Sequence, residues 1–193
     1  YRQGAAGAEA TAQAIAKEGG WARAFQADVA KSDDLRRLVD AVTQTLGPVS
    51  VLVNNAGPFA DTPLRTLAEN DWDYIMDANL KAVWLAAQCV APGMERLGWG
   101  RIVNLGATSG LVRSHSVYGL AKGALLHLTE SLAVELAPKI TVNAVVPSQI
   151  ASARTDRMPA SIPFAASSGP KPSCGNTTLS SSHFDTTTRA PAF

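Results

Sequence analysis

The chain has 193 residues, of which 46% are hydrophobic and 17% are charged, and its formal net charge is +1. This length and composition suffice for one α/β domain with a sizeable core. The small net charge and the lack of a basic run argue against a nucleic-acid partner, and no apolar run approaches the ~18 residues of a membrane span.

Cysteine usage bears on the compartment. Cys89 and Cys174 are far apart in the sequence, and Cys89 lies in an apolar stretch of helical pattern. Two such cysteines do not make a disulfide framework, so we expect a reducing, cytoplasmic compartment. The chain shows no signal peptide and opens at Tyr1 rather than Met, which suggests that its natural start is missing. No spacing of His, Cys and acidic residues indicates a metal site.

The first third of the chain alternates helix and strand patterns. An alanine-rich stretch predicts a helix over 5–18, and residues 22–27 predict a short strand. Ser32, followed by two acids, predicts the capped start of a second helix, because a hydroxyl and negative charge both suit a helix N-terminus. The apolar stripe of that helix comprises Leu35, Leu38, Val39, Val42 and Leu46.

Strands and helices continue to alternate downstream. An apolar strand over 49–53 runs into Asn54-Asn55-Ala56-Gly57, and a long helix is expected from about Asp71 until Pro92 interrupts it. The remaining predicted elements are a strand over 101–105, a loop over 106–116, a helix through Tyr118 and Lys122 to Pro138, and a strand over 140–146 that Pro147 closes.

Continuous apolar strands that alternate with helices indicate a parallel sheet covered on both faces. In such sheets ligands bind outside the carboxyl ends of the strands. The polar and glycine residues of this chain concentrate at those ends, namely at Asp28, at 54–57, at 106–109 and at Pro147. We therefore expect a ligand crevice there.

The composition changes after Ser152. Ser, Thr, Pro and Gly make up about half of residues 153–193, and no helical or strand period is left. We predict a single domain over 1–152 and a disordered or non-native tail over 153–193, since such a tail cannot bury enough apolar area to offset its ordering entropy.

Tyr118 and Lys122 are four residues apart in a predicted helix, so their heads can reach one small volume. A phenol ionises near pH ~10, and a neighbouring ammonium lowers that pKa. Lowering it by about three units corresponds to roughly 4 kcal/mol, at 1.36 kcal/mol per unit. The pair thus suits proton transfer at neutral pH, while the spacing alone also fits two surface residues that coincide.

Five motifs occur in a specific order and spacing. Together they resemble the short-chain dehydrogenase/reductase family, and particularly its β-ketoacyl-carrier-protein reductase-like branch, over about residues 1–152. The motifs are Asn54-Asn55-Ala56-Gly57 (NNAG), Asn79 within 77–80, Arg101-Ile-Val-Asn-Leu105, Tyr118-x-x-x-Lys122 (YxxxK) and 142–147. The resemblance implies a Rossmann-like, doubly wound parallel sheet and a nicotinamide-dependent oxidoreductase that acts on a small-molecule carbonyl or secondary alcohol.

The resemblance also implies roles for three residues. Tyr118 would be the general acid and base, and Lys122 would lower its pKa and hold the nicotinamide ribose. Asn79 would hold a water that links Lys122 to solvent, although an asparagine inside a helix can also simply bond locally.

Cofactor contacts are implied at strand ends. Asp28 would bond the adenine amino group, unless it caps the following turn instead. Asn54, Ala56 and Gly57 would let the backbone approach the adenine ribose, unless they form an ordinary turn, and Pro147 closes the same crevice.

Arg2 is at the end of the stretch that resembles the family's second strand. A guanidinium there suits a 2′-phosphate, whereas an acid would suit a free hydroxyl, so NADP(H) is favoured over NAD(H). The alternative is an exposed arginine near a terminus.

One departure from the family concerns the serine that polarises the substrate carbonyl, because Ala107 aligns with that position. Losing such a donor costs about 100- to 1000-fold in rate. Ser109, two residues on, would point to the same side if the strand pattern continued, and it is a tentative replacement. It could equally be an ordinary loop residue.

The other departure is truncation. The family's first strand with its glycine-rich phosphate loop, and its last helix and strand, have no counterpart in the sequence, so we expect a truncated sheet and weak cofactor binding. A catalytically impaired nucleotide-binding relative, or a non-functional fragment, is therefore the alternative function. The helices after Asp71 and Ser116 correspond to the family's subunit contacts, which implies a homodimer or homotetramer. The alternative is that their apolar stripes, which include Trp84, Leu128 and Leu132, are buried against the sheet.

Overall fold

A three-stranded parallel sheet is the centre of the computed structural model, which describes residues 1–111 and 115–147. The strands lie in the order β1-β2-β3. In register, Leu52 pairs with Ile102, and Ile102 pairs with Val142. The predicted α/β class with a parallel sheet is confirmed. The strand bounds are β1 Val51–Asn54, β2 Gly100–Leu105 and β3 Ile140–Val145.

Six α-helices occur in the described ranges. The predicted helices over 5–18, after Ser32 and through Tyr118 are confirmed as α1, α2 and α6. Ser32 is itself the first helical residue, however, and Lys31 stands at the cap position without a side-chain bond, so the predicted hydroxyl cap is wrong. The helix bounds are α1 Ala5–Lys17, α2 Ser32–Leu46, α3 Glu69–Met76, α4 Ala82–Leu97, α5 Thr108–Leu111 and α6 Val117–Glu135.

The long helix predicted from Asp71 differs from the structure at two points. A π-helical segment, Asp77–Lys81, joins α3 to α4. Pro92 does not end α4, which continues to Leu97. Ala91 and Met94 are buried on either side of this proline, and their packing outweighs the one backbone hydrogen bond that a proline removes.

The strand predicted over 22–27 is wrong. These residues carry no strand assignment, and the backbone bonds that join them to another segment run to Tyr1, which donates to the Phe25 carbonyl and accepts from the Ala27 N–H. A strand is stable only when a neighbour completes its ladder, and the local pattern of a sequence does not report whether that neighbour exists.

The described sheet buries mainly one face, as expected of a truncated sheet that has lost a central strand. Ile102, Ile140 and Val142 are at most 5% exposed and pack with residues of α4 and α6. On the other face, Val51 and Val53 are 50% and 57% exposed. The N-terminal helix, α1, buries none of its residues.

An apolar groove of about 340 Å³ follows the open edge of β1 and is lined by side chains of α2, β1 and α4. Leu35, Ala82 and Ala86 line it and belong to one buried cluster. No helix in the described ranges is long and apolar enough to cross a membrane. The predicted tail over 153–193 lies outside the described residues.

Candidate active site

Tyr118 and Lys122 share one face of the first turns of α6, as their spacing predicts. Lys122 Nζ lies 5.6 Å from the centroid of the Tyr118 ring. The phenol ring is half-buried and meets Phe59 edge-on, with the centroids 5.1 Å apart. The Ser116 hydroxyl starts this helix by accepting the Gly119 N–H at 3.1 Å. The cap and the ring contact together orient the tyrosine.

Lys122 is anchored to the sheet. It is only 5% exposed, and its Nζ donates to the main-chain oxygen of Leu105, the last residue of β2, at 2.7 Å. Burial lowers the pKa of this ammonium, because the charged form loses water. The Leu105 carbonyl is a dipole that favours the charged form. The arrangement therefore fixes a cation beside the phenol at the carboxyl end of the sheet.

Asn79 is fully buried within the π-helical segment, which packs against α6. Its Nδ2 donates to the Ile75 carbonyl and to the Pro58 carbonyl, both at 3.0 Å. The local bond to Ile75 is the alternative considered from the sequence, and the bond to Pro58 additionally ties Asn79 to the loop after β1. Its Oδ1 has no hydrogen-bond partner within the described residues.

The Asn54-Asn55-Ala56-Gly57 loop follows β1 directly. Ala56 and Gly57 are exposed, and Asn54 is half-buried. A Cβ built at Gly57 would overlap Asn79 Oδ1 and lie 3.0 Å from its Cγ, so glycine is required here by close packing. Pro147 is half-buried two residues after β3. The exposed loop backbone leaves room for a ligand to approach.

A buried hydrogen-bond chain links this loop to α6. Asn54 Nδ2 donates to Asn104 Oδ1 at 2.9 Å, and Asn104 Nδ2 donates to Thr129 Oγ1 at 2.9 Å. Sequence reasoning placed Asn104 in a motif but did not identify Thr129. The signal was available, since a threonine seven residues after Lys122 lies on the same helical face.

Ala107 and Ser109 follow β2, but the prediction that strand alternation points both side chains to the same side is wrong. β2 ends at Leu105, and residues 108–111 form the helical turn α5, so strand alternation does not operate there. Ser109 Oγ is nevertheless buried without a hydrogen-bond partner in the described ranges. A Cβ at Gly110 would lie 2.7 Å from the Lys122 carbonyl carbon, so α5 packs tightly on α6 beside the lysine.

Arg2 and Asp28 line a polar cleft of about 460 Å³ beyond the open edge of β1. Arg2 is exposed, donates to the Tyr74 hydroxyl, and lies 5.2 Å from the Tyr74 ring centroid. Asp28 Oδ1 accepts the Ala30 N–H at 3.1 Å, which is the turn-capping alternative. One carboxylate oxygen thus holds the turn, and the role at adenine would fall to the other oxygen.

Two cations of this cleft were not identified from the sequence. Lys31 and Arg37 both line it, and Arg37 pairs with Asp34. Their proximity to Arg2 arises from the tertiary fold, because some thirty residues separate them in the chain. Two groups of residues result. Around the carboxyl ends of β1 and β2 lie Tyr118, Lys122, Asn79 and the loop after β1. Arg2 and Asp28 lie in the separate cleft.

The comparisons with known proteins agree with this geometry. The family profile described as short chain dehydrogenase matches residues 1–161. The 3-oxoacyl-(acyl-carrier-protein) reductase FabG of Staphylococcus epidermidis is 39% identical over 154 residues, which cover 78% of this chain and 63% of that protein. The 3-oxoacyl-(acyl-carrier-protein) reductase of Synechocystis is 35% identical over 161 residues, covering 82% and 65%.

Solved structures give the same result. A Serratia marcescens short-chain dehydrogenase/reductase variant superimposes with a TM-score of 0.74 at 34% identity, covering 80% of this chain and 64% of that one. The chain therefore spans less than two thirds of the length of these relatives. On the family match and the shared fold, the chain belongs to the short-chain dehydrogenase family.

Proposed function

We propose that the protein is an NADP(H)-dependent oxidoreductase that interconverts a small-molecule carbonyl and a secondary alcohol. One observation carries the proposal: the buried Lys122 ammonium, bonded to the Leu105 carbonyl at 2.7 Å, lies 5.6 Å from the Tyr118 ring at the carboxyl edge of the sheet. A fixed cation beside a phenol is the arrangement that brings a tyrosine into use as an acid and base.

Tyr118 would protonate the carbonyl oxygen in reduction and take the proton back in oxidation. When bound, the nicotinamide supplies or accepts the hydride at the carbonyl carbon. The Lys122 charge stabilises the phenolate left by proton donation, so the phenol becomes a better acid near neutral pH. Positioned proton transfer of this kind typically contributes about 10²–10⁴-fold in rate.

Asn79 would serve proton resupply. Its buried Oδ1, which has no partner among residues 1–111 and 115–147, and the packing of its π-helical segment on α6 are compatible with a water held between Asn79 and Lys122. A buried polar oxygen without a bond costs about 1–3 kcal/mol, so an ordered water there would be stabilising.

Ser109 would take the part of the serine that is missing at Ala107. The support is its own buried hydroxyl, which has no partner within the described ranges and would gain a hydrogen bond by donating to a substrate carbonyl oxygen. The tight packing of α5 on α6 places this hydroxyl's neighbour, Gly110, against Lys122.

The residues present suit a nicotinamide dinucleotide. The exposed backbone of 54–57 would lie along the adenosine ribose, and the half-buried Pro147 would border the nicotinamide end. In the polar cleft, Asp28 would bond the adenine amino group and Arg2 would bond a 2′-phosphate, aided by Lys31 and Arg37. This set of three cations is the reason to favour NADP(H) over NAD(H).

The named relatives suggest where to begin with substrates. Two of them are 3-oxoacyl-(acyl-carrier-protein) reductases, so a 3-oxoacyl thioester is the first carbonyl to offer. A cytoplasmic homodimer or homotetramer would be formed through α4 and α6, where Trp84 is 44% exposed and faces a groove shared with Leu128.

The experiment is a carbonyl-dependent NADPH oxidation assay on the purified protein, with Tyr118→Phe as the test variant and Tyr1→Phe as its matched control, since the Tyr1 side chain is exposed. Turnover that is lost only in Tyr118→Phe supports the proposal. Tight NADPH binding without turnover on any carbonyl would contradict it.

Ala107 favours a second candidate function, a nucleotide-binding relative with little catalysis. In that case NADPH binding would depend on Arg2 and on the loop over 54–57, while Tyr118→Phe and Ser109→Ala would change nothing measurable in any carbonyl assay. Calorimetric NADPH titration alongside the turnover assay separates the two functions.

A further inference from the structure

A chain of buried side-chain hydrogen bonds joins β1, β2 and α6, and the proposed reaction leaves it without a role. Asn54 donates to Asn104, and Asn104 donates to Thr129, each at 2.9 Å. Thr129 Oγ1 in turn donates to the Leu125 carbonyl at 2.7 Å. Asn104 is 0% and Thr129 is 5% exposed. The Thr129 hydroxyl both accepts and donates, so its orientation is set on two sides.

This chain supplies directional contacts that the apolar part of the helix interface lacks. The buried face of α6 next to Thr129 is apolar, with Ala121, Leu125 and Leu132 as its members. Apolar burial is non-directional, so it tolerates a small slide of the helix along its axis. A hydrogen bond does not, because it weakens steeply beyond its usual length, while one residue of helix is ~1.5 Å.

The position of α6 along its own axis, relative to β2, is its register, and it determines where Tyr118 and Lys122 lie. Lys122 is two turns before Thr129 on the same helical face, and it bonds the carbonyl of Leu105, the residue after Asn104 on β2. The strand and the helix are thus tied at adjacent strand residues, once through Asn104 and Thr129 and once through Leu105 and Lys122. A slide that broke the first tie would also move Lys122 Nζ away from its carbonyl.

We infer that Asn104 and Thr129 are positioning residues, whose hydrogen bond holds α6 in the register that sets Tyr118 and Lys122 at the carboxyl end of β2. The inference rests on the function proposed for Tyr118. Neither side chain touches the reacting atoms; Thr129 is eleven residues beyond Tyr118, about 16 Å along the helix axis.

The test compares Thr129→Val, which keeps the shape and removes the hydroxyl, with Thr129→Ser, which keeps the hydroxyl. Thr43→Val is the matched control, because Thr43 makes the same local bond, to the Val39 carbonyl at 2.8 Å, on an exposed helix position. Two readouts are taken: kcat and KM for NADPH-dependent reduction, and the NMR signal of ¹³Cζ-labelled Tyr118, assigned with Tyr118→Phe.

We expect Thr129→Val to lower kcat about tenfold to a hundredfold, since a misplacement of ~1 Å can cost that much, and to leave the KM for NADPH nearly unchanged. The same variant should move the Tyr118 signal at neutral pH and raise the pH at which the phenol titrates. Thr129→Ser and Thr43→Val should keep both readouts at their original values.

The inference is overturned if Thr129→Val leaves the Tyr118 signal and kcat unchanged, or if Thr129→Ser is as impaired as Thr129→Val. Should Thr129→Val not fold, Thr129→Cys takes its place, because a thiol is only a weak donor and acceptor. If the unchanged protein has no turnover, the proposed function fails, and the Tyr118 signal alone still decides whether Thr129 sets its position.

Discussion

Asn79 Oδ1 occupies the space in which a Cβ at Gly57 would stand. Asn79 has little freedom to move away, because it is fully buried and its Nδ2 donates to the carbonyls of Ile75 and Pro58. The loop after β1 and the π-helical segment are therefore complementary at this point. The loop proposed to contact the cofactor can approach Asn79 this closely only because residue 57 has no Cβ.

Gly57→Ala should destabilise the protein by about 1–3 kcal/mol, which is the usual cost of overpacking. The added methyl must displace the Asn79 amide and break at least one of its two hydrogen bonds. Urea unfolding measures the change. Gly7→Ala is the control, since nothing lies within 4 Å of a Cβ at Gly7 in α1, and it should be neutral or slightly stabilising. Equal stability of the two variants would contradict the packing argument.

Tyr118→Phe should lower kcat by about 10²–10⁴-fold, because it removes the proposed proton donor and keeps the ring. The edge-on contact with Phe59 at 5.1 Å needs only the ring, so the variant should keep that contact and should fold. Steady-state kinetics and thermal unfolding of the same sample check both statements. A variant that loses stability in proportion to its activity would indicate a structural role instead.

Lys122 should leave a signature in the pH dependence of stability. Burial lowers its pKa in the folded protein from 10.5, so the unfolded chain binds more protons than the folded one between the lowered value and 10.5. The buried ammonium therefore lowers the free energy of unfolding by a constant amount at neutral pH. This loss is recovered as the pH rises through that window.

The measurement is the free energy of unfolding of the unchanged protein minus that of Lys122→Met, by urea titration across the alkaline range. This difference should rise with pH and level off above about 10.5, the ordinary pKa. Taking the difference cancels the titration of groups that do not interact with Lys122, and repeating it in the Tyr118→Phe background removes the phenol, whose titration the ammonium is proposed to shift. A difference that falls with pH would show that the folded protein stabilises the ammonium instead.

The elements that were predicted well are those whose determining sequence features lie within a few residues of each other. The helix Ser32–Leu46 carries two acids in its first turn and an apolar stripe, and both features act within a few residues of each other. By contrast, residues 22–27 have strand composition and form no strand, because pairing depends on a distant neighbour. Pro92 is likewise a local signal to stop, and it is overridden by the buried Met94 beyond it.

The candidate site divides in the same way. Tyr118 and Lys122 were predictable since four residues on a helix define one face. Ser109 was reached by a wrong argument, because residues 108–111 turn helical after β2 instead of extending it. Lys31 and Arg37 could not be placed beside Arg2 from their spacing, since only the packed fold forms the cleft that they share.

Ala107→Ser and Ser109→Ala together test which position supplies the carbonyl hydrogen bond. If Ser109 has taken over the missing donor, Ser109→Ala should lower kcat about 100- to 1000-fold, and Ala107→Ser should restore part of that loss in the double variant. Steady-state kinetics of the three variants measure this. Unchanged turnover in Ser109→Ala, where Tyr118→Phe is inactive, would show that Ser109 is not the donor.

Arg2→Ala and Arg37→Ala should each weaken the preference for NADPH over NADH. A hydrogen bond to a charged group is worth about 1.5–3 kcal/mol, which corresponds to roughly 10- to 100-fold in the KM for NADPH and little change for NADH. Arg37 already pairs with Asp34 and Arg2 already donates to Tyr74, so each guanidinium must exchange or share a partner to reach a 2′-phosphate. The full effect is therefore expected only at low ionic strength, where the attraction is not screened.

Arg23→Ala is the matched control, because Arg23 stacks on Phe25 at 5.5 Å and does not line the cleft. Equal losses for NADPH and NADH would assign these arginines to the stability of the cleft, and the preference would then have to come from Lys31.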